Sequence, residues 1–149
     1  MEVAQVMFLS CYFIEKGSRM ETELKIGIVG KQEEKVILEK TAAKYGSGLV
    51  EVYATPAMIA LMEKTAMLSI IPYLPQGHGS VGTEVNIKHL KATPVGQIVS
   101  CESELIEVDG RKLVFKVAAK DEEGEIGHGT HTRFVIDTAK FMAKLQKRS

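Results

Sequence analysis

"TPAMIALMEKTAMLSII", Thr55 to Ile71, is apolar nearly all the way round when wound as a helix, yet Glu63 stands in its middle. Pro56 suits the first turn, because its missing N–H has no helical partner there, and Thr55 before it is a good N-cap. Pro72 and Pro75 end the helix. A helix without a wide polar face must be covered on most sides, so the rest of the chain has to supply the cover.

Beyond Pro75 the chain reads as a meander of strands. From Val81 to Leu90 the residues alternate, with Val81, Thr83, Val85, Ile87 and His89 on one face and Gly82, Glu84, Asn86 and Lys88 on the other. "ATPVG" turns the chain into a second strand, Ile98 to Val108. Asp109-Gly110 in "VDGRK" signals a hairpin. Leu113, Phe115, Val117 and Ala119 mark the inner face of a third strand, "KDEEGE" turns again, and Ile126 to Ile136 is the last long strand. Lys140 to Lys147 forms a short basic terminal helix. Before the central helix, two short apolar runs, Leu24 to Val29 and Val36 to Leu38, suit short strands. "KYGSGLVEVYAT" reads as a mobile glycine loop. The expected class is α+β, an antiparallel sheet curled around a long central helix, which is the hotdog fold.

The 149 residues fit one domain, read as 20–149, with residues 1–19 as an N-terminal extension and Met20 as an alternative start. Lys+Arg and Asp+Glu both number 19, so no net positive charge points to nucleic acid. "VMFLSCYFI" is far short of the ~20 residues a bilayer span needs, and it lacks the flanks of a secretory signal. Cys11 and Cys101 lie in no metal or redox motif and read as reduced thiols of a cytoplasmic protein.

"GHGSVG", Gly77 to Gly82, matches a dinucleotide-binding pattern, but it follows a helix and precedes a strand, so a flexible turn is the better reading. His128 and His131, three apart on a strand, point to opposite faces and cannot grip one metal ion without a bulge. Glu63 has two readings. Beside Lys64 it is a polar notch at an exposed edge. Buried, it must be paired or protonated, which is the state of a general base or nucleophile. His89, at the end of the inner face of a strand expected on that helix, points the same way, although a lone inward histidine is more often structural.

Three blocks, "EVYATPAMIALMEKTA", "GSVGTEVNIKHLKATPVG" and "EIGHGTHTRFVI", resemble the fluoroacetyl-CoA thioesterase-like family of hotdog proteins, from about Leu49 to Leu145. The resemblance implies a catalytic set of Thr55, Glu63 and His89, a substrate-side glycine at Gly82, short-chain acyl-CoA hydrolysis and a homodimer. The family's aromatic lid position, six residues before its threonine, holds Leu49 here, so the reaction class carries over and the fluorinated acyl group does not. On that reading no cofactor is needed, coenzyme A being part of the substrate. Its phosphates would meet Lys88, Lys91 or Arg133 at the surface, and Leu49 and Tyr53 would wall the acyl pocket. Neither a metal, a nucleic acid nor a membrane is expected as partner.

In one straight helix Thr55 and Glu63 stand ~12 Å apart along the axis, too far for a direct hydrogen bond. Either Thr55 folds back on the loop before the helix or the site combines Thr55 of one chain with Glu63 of another; the shared site at a two-fold interface, which the resemblance also implies, is favoured. Glu63 would activate water or attack the carbonyl itself, and His89 would carry the proton to the departing thiolate. The rival readings are a non-catalytic acyl-CoA-binding hotdog module and, behind it, a hydratase on the same fold.

Overall fold

The structure, a computed structural model, describes residues 23–148; the extension at residues 1–19 and Cys11 lie outside them. Among the described residues there are five strands, β1 (Val29–Lys35), β2 (His78–His89), β3 (Ile98–Asp109), β4 (Lys112–Asp121) and β5 (Gly124–Asp137). The helices are α1 (Ala42–Tyr45), α2 (Thr55–Ile70) and α3 (Thr138–Gln146). The strands form a single antiparallel sheet in the order β1-β3-β4-β5-β2. It wraps α2, which touches β1, β2, β3 and β4. This is the hotdog arrangement expected from the apolar helix and the meander.

The inner face of β4 is as expected: Leu113, Phe115, Val117 and Ala119 are all buried. They meet Ala57, Met58, Leu61, Met62, Ala66 and Ile70 of α2 in one core. Met58 has room because β5 carries Gly127 beneath it, where a Cβ would come within 2.7 Å of the methionine Cε. The Asp109-Gly110 hairpin is present, with Gly110 in the left-handed region at φ 58°.

The N-terminal strands differ from expectation. Neither apolar run is itself the strand: β1 is the polar segment "VGKQEEK", which begins at Val29, the last residue of the first run, and ends just before the second. β1 is an edge strand with charged residues on its exposed face, a composition that discourages further pairing. Gly30 sets how closely it approaches the helix, since a Cβ there would lie 2.7 Å from the Thr65 carbonyl oxygen. Val36 then enters the core while Leu38 opens a short 3₁₀ turn. "GHGSVG" is likewise mostly strand, with a turn only at Gly77, whose φ is 80°.

α2 is less enclosed than its composition suggested. Seven of its sixteen residues are buried, while Ile59, Glu63, Met67 and Leu68 are half-buried and Ala60 and Lys64 exposed. The open flank lies toward β2, which pairs with β5 on one side and, among the described residues, has no strand on its other edge. No helix among the described residues is long and apolar enough to cross a membrane.

Candidate active site

Thr55 does not cap the helix. It is the first helical residue, Ala54 precedes it as N-cap without any side-chain cap bond, and the Thr55 hydroxyl is engaged elsewhere. Its Oγ1 lies 2.8 Å from Nδ1 of His89, at the end of β2. The other ring nitrogen, Nε2, is buried with no hydrogen-bond partner among the described residues. Burial pushes the His89 imidazole below its ordinary range; the Lys91 backbone offsets part of that push without bonding Nε2. A neutral ring with a spare nitrogen in a desolvated position is able to take up a proton.

Glu63, two turns further along α2, belongs to a different cluster. Its side chain is 41% exposed and its Oε2 lies 3.6 Å from Nη1 of Arg133 and 3.9 Å from Nε2 of His131. No hydrogen bond or ion pair joins it to His89 or Thr55 of the same chain. The expected meeting of acid and imidazole within one core is thus corrected. Gly82 and His89 are seven residues apart on β2, roughly 23 Å along an extended strand, which keeps the two clusters apart.

A β-bulge sets up the Glu63 cluster. Val81 pairs with Phe134 and Gly82 with Arg133, but the register then skips Thr83, so that Glu84 faces Thr132 and Val85 faces His131. Cross-strand neighbours share a face, so Gly82 turns toward the helix with Arg133, and Val81 turns outward with the exposed Phe134. This overturns the single unbroken alternation expected for Val81 to Leu90. Gly82 leaves the space that the acid occupies: a Cβ there would be 2.7 Å from Glu63 Oε2 and 3.0 Å from His131 Cε1.

The remaining predicted contacts separate clearly. Arg133 is not a surface residue but 5% exposed. Its Nε donates to Ser80 Oγ and its Nη2 to the Ser80 carbonyl, each at 2.8 Å. Tyr53 is a core residue rather than an open pocket wall, and its hydroxyl donates to Glu34, which also pairs with Lys40. Burial and Glu34 together push the Tyr53 phenol far above its ordinary range. Leu49 is 97% exposed on the loop before α2. Lys88 is exposed on β2, and Lys91 is paired with Glu123 at 2.6 Å. Sequence reasoning missed Ser80 and the inward roles of His131 and Arg133. His128 and His131 do face opposite ways, the first pairing with Glu125 and the second buried. Cys101 is buried and in no disulfide among the described residues.

An antiparallel sheet wrapped on one long helix, with an acid, a threonine and a histidine along the seam between that helix and β2, defines a hotdog-fold protein. The family model described as fluoroacetyl-CoA-specific thioesterase matches residues 36–139, and the chain belongs to that family. A fluoroacetyl-CoA thioesterase from Streptantibioticus cattleyicolor is 44% identical over 99 residues, 66% of this chain and 71% of that protein. A solved structure of a fluoroacetyl-CoA thioesterase, 37% identical, superposes with a TM-score of 0.79 over 85% of this chain and 98% of the other. A Thermus thermophilus thioesterase superfamily member, 28% identical, gives 0.77 over 83% and 91%.

Proposed function

We propose that this chain hydrolyses a short-chain acyl-CoA to free acid and coenzyme A with Thr55, Glu63 and His89, as a cytoplasmic homodimer without a further cofactor. Membership of a thioesterase family makes it a thioester hydrolase. The observation that carries the finer reading is the hydrogen bond of Thr55 to His89 at the uncapped start of α2. First-turn amides there have no side-chain acceptor and carry positive partial charge, suited to a developing oxyanion. Glu63 supplies the carboxylate that activates water or attacks the carbonyl, and the neutral His89 takes up a proton and delivers it to the thiolate.

Two copies are part of this reading because one chain keeps its acid and its imidazole in separate clusters. Among the described residues, one edge of the twelve-residue β2 has no neighbouring strand, and Val85 on it is 44% exposed. Antiparallel pairing of two such edges about a two-fold near Val85 and Asn86 would set His89 of each copy opposite Gly82, and hence Glu63, of the other. Leu49, otherwise bare, would then border the acyl group. Lys88, and Lys91 on release from Glu123, are the cations offered to the phosphates of coenzyme A.

The test is complementation. A Thr55→Ala chain mixed with a Glu63→Ala chain should recover about a quarter of wild-type hydrolysis, because half the dimers are mixed and each holds one intact site. No gain over either variant alone sinks the shared site. Absence of hydrolysis by the wild type across an acyl-CoA panel, with binding retained, would replace the enzyme by a binding module.

A further inference from the structure

Asp121 is a carboxylate that the proposed chemistry does not use, yet it is buried where β4 turns into β5. A charge withdrawn from water is costly unless its acceptors are filled. Both oxygens are filled. Oδ2 accepts from the Thr93 hydroxyl and Oδ1 from the Glu123 amide, each at 2.9 Å. Burial pushes the carboxyl up, but those donors and the Lys91 ammonium outweigh it and hold the group below the ordinary carboxylate range. Asp121 is therefore ionised at neutral pH.

What Asp121 grips is a joint between the two segments that carry Thr55 and His89. Thr93, fully buried, stands four residues after His89. Its carbonyl accepts from the Tyr53 amide at 2.8 Å, two residues before Thr55. Pro94 extends this contact by bridging Val52. Between His89 and Thr93, the amides of Leu90 and Lys91 both donate to the Ile126 carbonyl, just past the turn that holds Asp121. One residue thus ties the end of β2 to the approach to α2, and its side chain is fixed by a charge. The contact of Thr55 with His89 spans the same two segments, so its length depends on how they are placed.

We propose that Thr93, pinned by Asp121, is a positioning residue that sets His89 against Thr55. This rests on the reading of Thr55 and His89 as a reacting pair. A misplacement of about an ångström in such a pair costs on the order of a hundredfold in rate, so a joint in the backbone of both partners governs turnover without reaching the substrate. Thr93 has no exposed surface for a substrate to meet. Its loss should therefore slow the reaction and leave binding alone.

The test is steady-state hydrolysis of acetyl-CoA by T93V, T93S, D121N and T55A and by the double variants T93V/T55A and D121N/T55A, run well below the thermal midpoint of each. Positioning predicts that T93V, which keeps the shape and loses the hydroxyl, lowers kcat about tenfold with KM unchanged to about twofold. T93S, which keeps the hydroxyl, should restore most of that rate. With Thr55 removed there is no pair left to align, so T93V should change the residual kcat of T55A by less than about twofold. A merely structural Thr93 would slow T55A by the same factor as wild type, and that additive result overturns the proposal. Wild-type kcat in folded T93V, with T55A impaired, also overturns it while leaving the pair catalytic; wild-type kcat in T55A removes the reading of the pair itself. If T93V does not fold, D121N, in which one amide oxygen replaces two carboxylate oxygens, is judged by the same comparison.

Discussion

Thr55 Oγ1 and His89 Nδ1 lie 2.8 Å apart, whereas Glu63, on the same helix as Thr55, pairs with Arg133 instead. The helix therefore serves two polar clusters at two heights, both along its seam with β2. The chemistry expected of each can be separated by experiment.

Glu63→Gln should lower kcat by about 10²-fold or more, as expected for loss of a general base or nucleophile. Stability should change by less than about 1 kcal/mol, because the acid is partly solvated and its pair with Arg133 is screened. Steady-state kinetics with a thermal melt checks both; unchanged kcat would remove the acid from the mechanism.

His89 should govern an acidic limb in kcat/KM. Its folded form sits below the ordinary histidine value of 6.5, so the ring is neutral at pH 7 and charges only as pH drops further. The same shift contributes stability that is fully present above about pH 6.5 and is lost as pH falls through the lowered folded value. His131 is shifted in the same direction, by burial first and by Arg133 as well, so its share must be separated. His89→Asn, compared with wild type in pH–rate and pH–melting series, isolates the His89 share: the limb and part of the acid destabilisation should disappear.

Gly82→Ala should fold and lose activity. The added methyl meets the flexible end of Glu63 at 2.7 Å and the edge of the rigid His131 ring at 3.0 Å, so the carboxylate is what gives way. A displacement of about an ångström is sufficient for a loss on the order of 10²-fold in kcat. Full activity in a well-folded Gly82→Ala protein would show that the carboxylate does not need this space.

Tyr53→Phe separates a core residue from a pocket wall. It removes the hydroxyl that Glu34 accepts from, and should cost about 1–3 kcal/mol in denaturant unfolding. KM for acetyl-CoA should not move. A changed KM at wild-type stability would return Tyr53 to the acyl pocket.

Much of the fold is legible in the sequence because its signals are local. An all-apolar run bounded by prolines marks a covered helix, and period-two alternation with Asp-Gly turns marks the meander. β1 escapes such reading because an edge strand is held by its neighbour's backbone and by the closeness that Gly30 permits, and neither leaves an apolar signature. The inward position of Arg133 does leave a signal: His131, Arg133 and Val135 alternate, and all three are buried. Arginine's usual preference for the surface masks that pattern.

By itself the sequence determined that a long apolar helix must be wrapped by an antiparallel sheet, and that Thr55, Glu63 and His89 stand along that helix and the strand after it. Only the tertiary structure decided which of them meet. The skipped Thr83 turns Gly82 and Arg133 toward Glu63, and seven residues of extended strand carry His89 away to Thr55. A one-residue slip in register reverses every side chain beyond it. Such a slip is chosen by hydrogen bonding between strands distant in the chain, so it cannot be read from either strand alone.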